Sequence, residues 1–199
     1  NVEMGKHVSY MYQKNPKQLV FTLARYKFVS KILDGFNNVM EIGAGDGFQS
    51  SIVAQTVKQL TLCDIDTRNK LDFKKNTFFK NSKYIIHDFS KKKFKSKFNA
   101  MFCLDVLEHI SKKKEDRFIK NIKLSLVKNG TLIIGTPSIE SQKYASKTSK
   151  LAHVNCKSKA NLKKLLKKHF NVVYMFSMND EIVHTGYDPM SNYNFAVCN

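Results

Sequence analysis

Apolar residues along this chain alternate between short continuous runs and longer stretches in which they return every three or four positions. The runs read as strands buried on both faces, and the periodic stretches as helices with one apolar stripe. Runs at 39–42, 59–65, 83–87, 98–104 and 131–135 predict five strands. Between them, residues 15–35 place Leu19, Val20, Leu23, Tyr26, Phe28, Ile32 and Leu33 at near-helical spacing, with Pro16 at the start and Gly35 at the end. Residues 49–57 predict a short helix, and 111–127 an amphipathic one with Phe118, Ile119, Ile122, Leu124 and Leu126 inward, stopped by Asn129-Gly130. A lysine-rich helix over 161–170 turns Leu162, Leu165 and Leu166 to the core. Strands alternating with helices predict an α/β fold with a mostly parallel sheet and helices on both faces. Runs at 172–178 and 194–198 have no helix between them and predict a closing antiparallel hairpin. Residues 138–156 are polar and without clear period, so they read as a long loop after the fifth strand, at the strand end where α/β folds bind substrates.

The first strand ends in Glu41-Ile42-Gly43-Ala44-Gly45-Asp46-Gly47-Phe48. Glycines at alternate positions let backbone N–H groups approach a nucleotide-like ligand with no side chain in the way. A dinucleotide fingerprint needs its third glycine at the sixth position, where this chain has Phe48; Gly47 comes one residue early, which argues against NAD or FAD. Asp64, about 20 residues further on at the end of the second strand, is placed to accept both hydroxyls of a ribose. The neighbouring Asp66 reads better as the cap of a following helix.

The pattern Glu41-x-Gly43-x-Gly45-x-Gly47 resembles the first motif of class I S-adenosylmethionine-dependent methyltransferases. Asp105-Val106-Leu107-Glu108-His109-Ile110, directly after the fourth strand, resembles the V-L-E-H segment of the subgroup that includes ubiquinone-biosynthesis O-methyltransferases. Residues 128–134 match the family's helix, glycine turn and fifth strand, and the likeness covers about residues 38–199. It implies a single Rossmann-like domain with a seven-stranded sheet, divided into a helical lid and flanking helix (1–37), a cofactor-binding core (38–135), and a substrate loop with the C-terminal hairpin (136–199). It implies S-adenosylmethionine as cofactor, held by Glu41, Gly43, Ala44, Gly45, Asp64, Ile65, Asp88, Phe89 and Leu104, with Asp88 taking the adenine amino group and Phe89 lying against the ring. The alternative for Asp88 is an ordinary strand-end aspartate. Tyr10 and Tyr12 belong to the lid, and Arg25 is either a cofactor-carboxylate contact or a solvated helix residue.

Methyl transfer from a sulfonium is an in-line displacement that needs an acceptor lone pair and a way to remove the acceptor's proton. Glu108 and His109 are the catalytic candidates. The chain lacks the Asn/Asp-Pro-Pro-aromatic arrangement with which amino-methylating enzymes hold a nitrogen, so the expected acceptor is a hydroxyl oxygen of a small molecule such as a sugar or phenol. Asp105, Glu108, His109 and, in the long loop, His153 form a candidate divalent-metal set. The set resembles the metal sites of ubiquinone-type enzymes and of small-RNA 2′-O-methyltransferases, with Asp where the latter have Glu at 105. Against it stands a purely structural reading in which Glu108 caps a helix and His109 packs. An RNA 2′-O-methyltransferase and a non-catalytic nucleoside-binding module are the alternatives. His184 to Tyr187 reads as a hairpin turn.

Composition changes little of this. A formal charge of +18 invites nucleic acid, yet arginines are only Arg25, Arg68 and Arg117, so lysine supplies nearly all of the 34 basic side chains. Those lysines are spread along the chain rather than gathered, which favours a small-molecule partner. The four cysteines include no C-x-x-C pair and read as reduced thiols rather than disulfides or zinc ligands. No run of eighteen apolar residues and no secretion-signal core occur, so a cytoplasmic protein without membrane association is expected. Because the chain begins at Asn1 rather than methionine, its natural start is expected upstream.

Overall fold

The computed structural model describes residues 4–75, 79 and 82–199. Residues 1–3 of the expected lid lie outside the described residues. The chain divides into two compact units, Asn1–Asp88 and Phe89–Asn199.

The first unit runs α1 (Lys6–Lys14), α2 (Pro16–Ile32), β1 (Asn38–Ile42), α3 (Ser50–Ala54), β2 (Gln59–Asp64), α4 (Thr67–Lys75) and β3 (Lys83–Ile86). Its strands are parallel in the order β3-β2-β1, with Ile42 beside Cys63 and Asp64 beside Ile86. α2 starts where Asn15 accepts a hydrogen bond from the Gln18 N–H (3.3 Å) and Pro16 fills the first turn, whose N–H groups have no helical partner in any case. The segment before it, expected as a lid, forms the helix α1. It buries Val8 and Met11 against Leu19, with Met4, Leu23 and Phe48 packed around them, and leaves Tyr10 and Tyr12 in solvent.

The second unit runs β4 (Phe98–Leu104), α5 (Lys112–Ser125), β5 (Leu126–Pro137), α6 (Lys147–Ala152), α7 (Lys159–Leu166), β6 (Val173–Asn179), β7 (Ile182–His184) and β8 (Tyr193–Cys198). The strand order is β4-β5-β8-β6-β7; β4 and β5 are parallel, and the remaining pairs antiparallel. The closing hairpin is therefore present but enlarged, and β7 makes the strand count among the described residues eight instead of seven. Three residues are too few to show alternation. β7 exists because Asp180, at φ 52°, reverses the chain tightly after β6. The fold is the expected Rossmann-like α/β fold with a mostly parallel sheet and an antiparallel C-terminal end.

Three expectations need correction. β5 starts at Leu126 rather than Thr131, because Asn129 (φ 60°) and Gly130 form an irregularity inside the strand, where partners jump from Phe98–Leu126 to Ala100–Thr131. Leu124 is consequently not an inward residue; it is 40% exposed, while Phe118, Ile119 and Ile122 on the same helix are buried. The long loop also has structure of its own, a 3-10 turn at Glu140–Tyr144 followed by α6. Among the described residues no helix is long and apolar enough to cross a membrane.

Candidate active site

In the first unit the turn after β1 holds Gly43, Gly45 and Gly47 at φ 80°, 56° and 80°, a left-handed region that a side chain makes costly. The three differ in what surrounds them. A Cβ on Gly47 would lie 2.8 Å from Leu62 Cδ2, so this glycine is required for packing, whereas a Cβ on Gly45 would meet nothing within 4 Å. Gly45 thus faces open space, as a ligand-cradling position must. Asp64 holds the turn in place, its Oδ2 accepting from Gly45 N–H (2.9 Å) and its Oδ1 from Asp66 N–H (2.8 Å). Each carboxylate oxygen keeps a second lone-pair direction for a ligand hydroxyl. Tyr84 donates to the Gly45 carbonyl at 2.6 Å from β3. Asp46 closes the turn on its other side, accepting from Phe48 N–H (3.0 Å) and from Gly5 N–H (2.6 Å) just before α1.

Glu41 lies under this turn, 1% exposed, and accepts a hydrogen bond from the Tyr26 hydroxyl of α2 at 2.7 Å. Burial pushes its carboxyl up to about 7, with the nearby charges of Asp64 and Asp46 adding to the shift and the hydroxyls of Ser50 and Tyr26 opposing it. Of the other residues expected around the cofactor, Ala44 is buried in the turn and Ile65 is exposed just past β2. Asp88 follows β3 and is half-buried. Phe89 and Leu104 belong to the second unit, both buried, with the Phe89 carbonyl accepting from the Asn121 amide (2.8 Å) and Leu104 ending β4.

In the second unit β4 runs into Asp105, whose φ of 56° turns the chain into a 3-10 turn at Leu107–His109. A non-glycine residue in this region stores strain, a feature that collects at functional sites. The turn fully buries Glu108, which accepts from the Thr136 hydroxyl of β5 at 3.2 Å. The long loop then brings His153 to the same place. Val154 and Asn155 donate their N–H groups to the Glu108 carbonyl (2.9 and 3.0 Å), and His109 Nδ1 lies 3.0 Å from the Ala152 carbonyl. A buried network anchors this loop: the Asn155 amide donates to Ile110 O (2.9 Å) and Glu115 Oε2 (2.6 Å), and Lys157 pairs with Glu115 at 2.7 Å.

As a result one ligand atom from each of Glu108, His109 and His153 lies within 4.8 Å of the others, and the two imidazole rings meet edge to face with centroids 5.3 Å apart. Asp105 is not in this group, although its charge acts on His153. The pKa of His153 is lowered, first by burial and then by the neighbouring His109, with Asp105 opposing. One carboxylate and two imidazoles converging on one point is a donor set suited to a borderline divalent cation such as Mn²⁺, Fe²⁺ or Zn²⁺. The residues therefore fit the group expected of them.

The groups that support these candidate residues left little trace in the sequence. Tyr26 was legible only as an apolar-face residue, Tyr84 only as part of a strand, and Thr136 and Asn155 carried no local signal. Each acts through a partner distant in the chain.

Residues 40–134 match the sequence profile of a family described as a methyltransferase domain. No match emerges among curated proteins. Among solved structures the chain is similar to the N-methyltransferase NodS from Bradyrhizobium japonicum WM9 in complex with S-adenosyl-L-homocysteine, at 17% identity and TM-score 0.68 over 93% of this chain and 88% of that one. An S-adenosylmethionine-dependent methyltransferase from Clostridium acetobutylicum ATCC 824 aligns at 10% identity and TM-score 0.72 over 95% of this chain and 96% of that one. The methyltransferase domain of bacterial CtHen1 aligns at 18% identity and TM-score 0.68 over 89% and 98%. The fold is thus shared with solved methyltransferases, and within it residues 40–134, which include the glycine turn braced by Asp64, match the methyltransferase-domain profile.

Proposed function

We propose that the chain is a divalent-metal-assisted O-methyltransferase acting on a hydroxyl of a small molecule, sugar-like or phenolic. The observation that carries this reading is the convergence of Glu108, His109 and His153 on one point. In the transfer the sulfonium–methyl bond breaks as the acceptor oxygen forms its new bond to the methyl carbon, and the hydroxyl proton must leave. A divalent ion, when bound, supplies a Lewis acid that makes a coordinated hydroxyl more acidic.

The chain's own residues provide the rest. Glu41, Gly43, Ala44, Gly45, Asp64, Ile65, Asp88, Phe89 and Leu104 are assigned to the cofactor. Glu108, fixed by Thr136, brings a buried carboxyl, and the lowered pKa of His153 keeps that imidazole neutral and able to donate a lone pair at neutral pH. Asp105 is assigned a supporting electrostatic part. The single methyltransferase domain and a cytoplasmic setting belong to the same reading.

A second reading, an RNA 2′-O-methyltransferase, is favoured by the surface of the long loop, where Tyr144 and Leu151 are exposed among Lys143, Lys147 and Lys150, and Lys143 sits over the Tyr144 ring. Basic groups interleaved with apolar faces suit single-stranded nucleic acid.

Transfer of a labelled methyl group into pooled small hydroxyl compounds and into RNA, with Mn²⁺ or with chelator, tests both. Activity that falls about a hundredfold or more on chelation and in Glu108→Gln is the expected result. Equal activity with chelator, or label on nitrogen, would overturn the reading. RNA as the substrate, with affinity falling steeply with salt, would select the second.

A further inference from the structure

An imidazole binds a metal only through an unprotonated nitrogen, and each ring has two nitrogens to offer. For His109 the choice is made by backbone. Its Nδ1 faces the Ala152 carbonyl, which can only accept, so Nδ1 carries the proton and Nε2 is left to the cluster. For His153 the facing group is the side-chain oxygen of Gln142, 3.0 Å from Nδ1. An amide can present either end, so the tautomer of His153 depends on which way Gln142 points.

That orientation is determined further back. The Gln142 Nε2 group donates to the Ser138 carbonyl (3.2 Å) and lies 3.4 Å from the Ser141 hydroxyl. With its NH₂ spent on an acceptor-only carbonyl, the amide turns its oxygen to His153. Ser138 is itself fully buried just after β5, its hydroxyl donating to the Ser191 carbonyl (2.5 Å) and accepting from Ser141 N–H (3.1 Å). The carbonyl that orients Gln142 therefore sits directly at the end of β5, on a residue held by the Ser191 carbonyl.

We propose that Gln142 is a positioning residue: relayed from the Ser138 carbonyl, its amide oxygen holds His153 in the Nδ1–H form and so presents the Nε2 lone pair to the Glu108–His109 cluster. This rests on the reading of that cluster as a divalent-metal site. Partners that hold the second nitrogen of a ligating histidine set both ring orientation and basicity, and their loss costs about tenfold to a hundredfold in metal affinity. The 3-10 turn of the long loop thereby has a task in the cluster although Gln142 contributes no ligand atom to it.

The test uses the whole chain and two variants, Gln142→Leu, which keeps bulk but has no acceptor, and Gln142→Glu, which restores one. Long-range proton–nitrogen correlation spectra of metal-free protein at about pH 8, where a histidine is neutral, read the His153 tautomer directly. Mn²⁺ titration reads affinity. The starting protein should show His153 as the Nδ1–H form. Gln142→Leu should give a mixture with the Nε2–H form and weaken Mn²⁺ about tenfold or more, and Gln142→Glu should restore both. An unchanged tautomer in Gln142→Leu overturns the proposal, as does an unchanged Mn²⁺ affinity. Should Mn²⁺ fail to bind the starting protein at all, the metal reading falls, while the spectra still decide the relay separately.

Discussion

Replacing Glu41 by glutamine removes a titratable carboxyl buried under the glycine turn while keeping the oxygen that accepts from Tyr26. Burial holds the Glu41 carboxyl at about 7 against an ordinary 4.5. The folded chain therefore keeps this proton to higher pH than the unfolded chain does. Between those two values folding takes up a proton, so stability is fully present below the unfolded pKa and is lost as pH rises through the folded one. At about 1.4 kcal/mol per pKa unit, the full effect is about 3 kcal/mol, reached above pH 7. Glutamine has no proton to lose. Relative to the starting protein, Glu41→Gln should gain about 2–3 kcal/mol between about pH 5 and about pH 8. Urea denaturation at both pH values measures this, and at a slope of about 2–3 kcal/mol per molar the midpoint difference should widen by about 1 M. Because the comparison is between two pH values, any constant offset from the amide cancels. A midpoint difference that stays the same across pH, or a starting protein that gains on the variant as pH rises, would refute the assignment of a buried, high-pKa carboxyl.

Gly47→Ala combines a left-handed φ of 80° with a Cβ 2.8 Å from Leu62, and should cost about 2–4 kcal/mol, read as a fall in melting temperature. Glu115→Gln removes the opposite charge beside Lys157, whose side chain is only 9% exposed and keeps the Asn155 amide oxygen as a neutral partner, and should cost about 3 kcal/mol in urea denaturation. Changing both at once, to Lys157→Met with Glu115→Leu, should recover most of that loss, since no unpaired charge stays buried. If the double variant is as unstable as the single one, the pair is not what holds the loop.

The sequence by itself determined the α/β alternation, the glycine turn and the acids at the strand ends, because these are local: a continuous apolar run, a backbone that needs positive φ, and a carboxylate a set distance beyond it. It also brought Glu108 and His109 into view, since neighbours in sequence stay neighbours in space. His153 was legible only as another imidazole further on. Its arrival beside Glu108 depends on two N–H groups reaching the Glu108 carbonyl and on the buried Asn155–Glu115–Lys157 network, contacts between residues some 40 positions apart. Asp105 looked equivalent to Glu108 in the string of letters. The turn imposed by its own φ set it apart from the three groups that converge. The eighth strand and the early start of β5 escaped for a similar reason, being decided by a three-residue pairing and a strand irregularity that no hydrophobic period records. Local patterns encode elements and single reactive groups. Which of those groups meet, and which tautomer or charge state each then holds, is settled by burial and by long-range hydrogen bonds that exist only once the chain has folded.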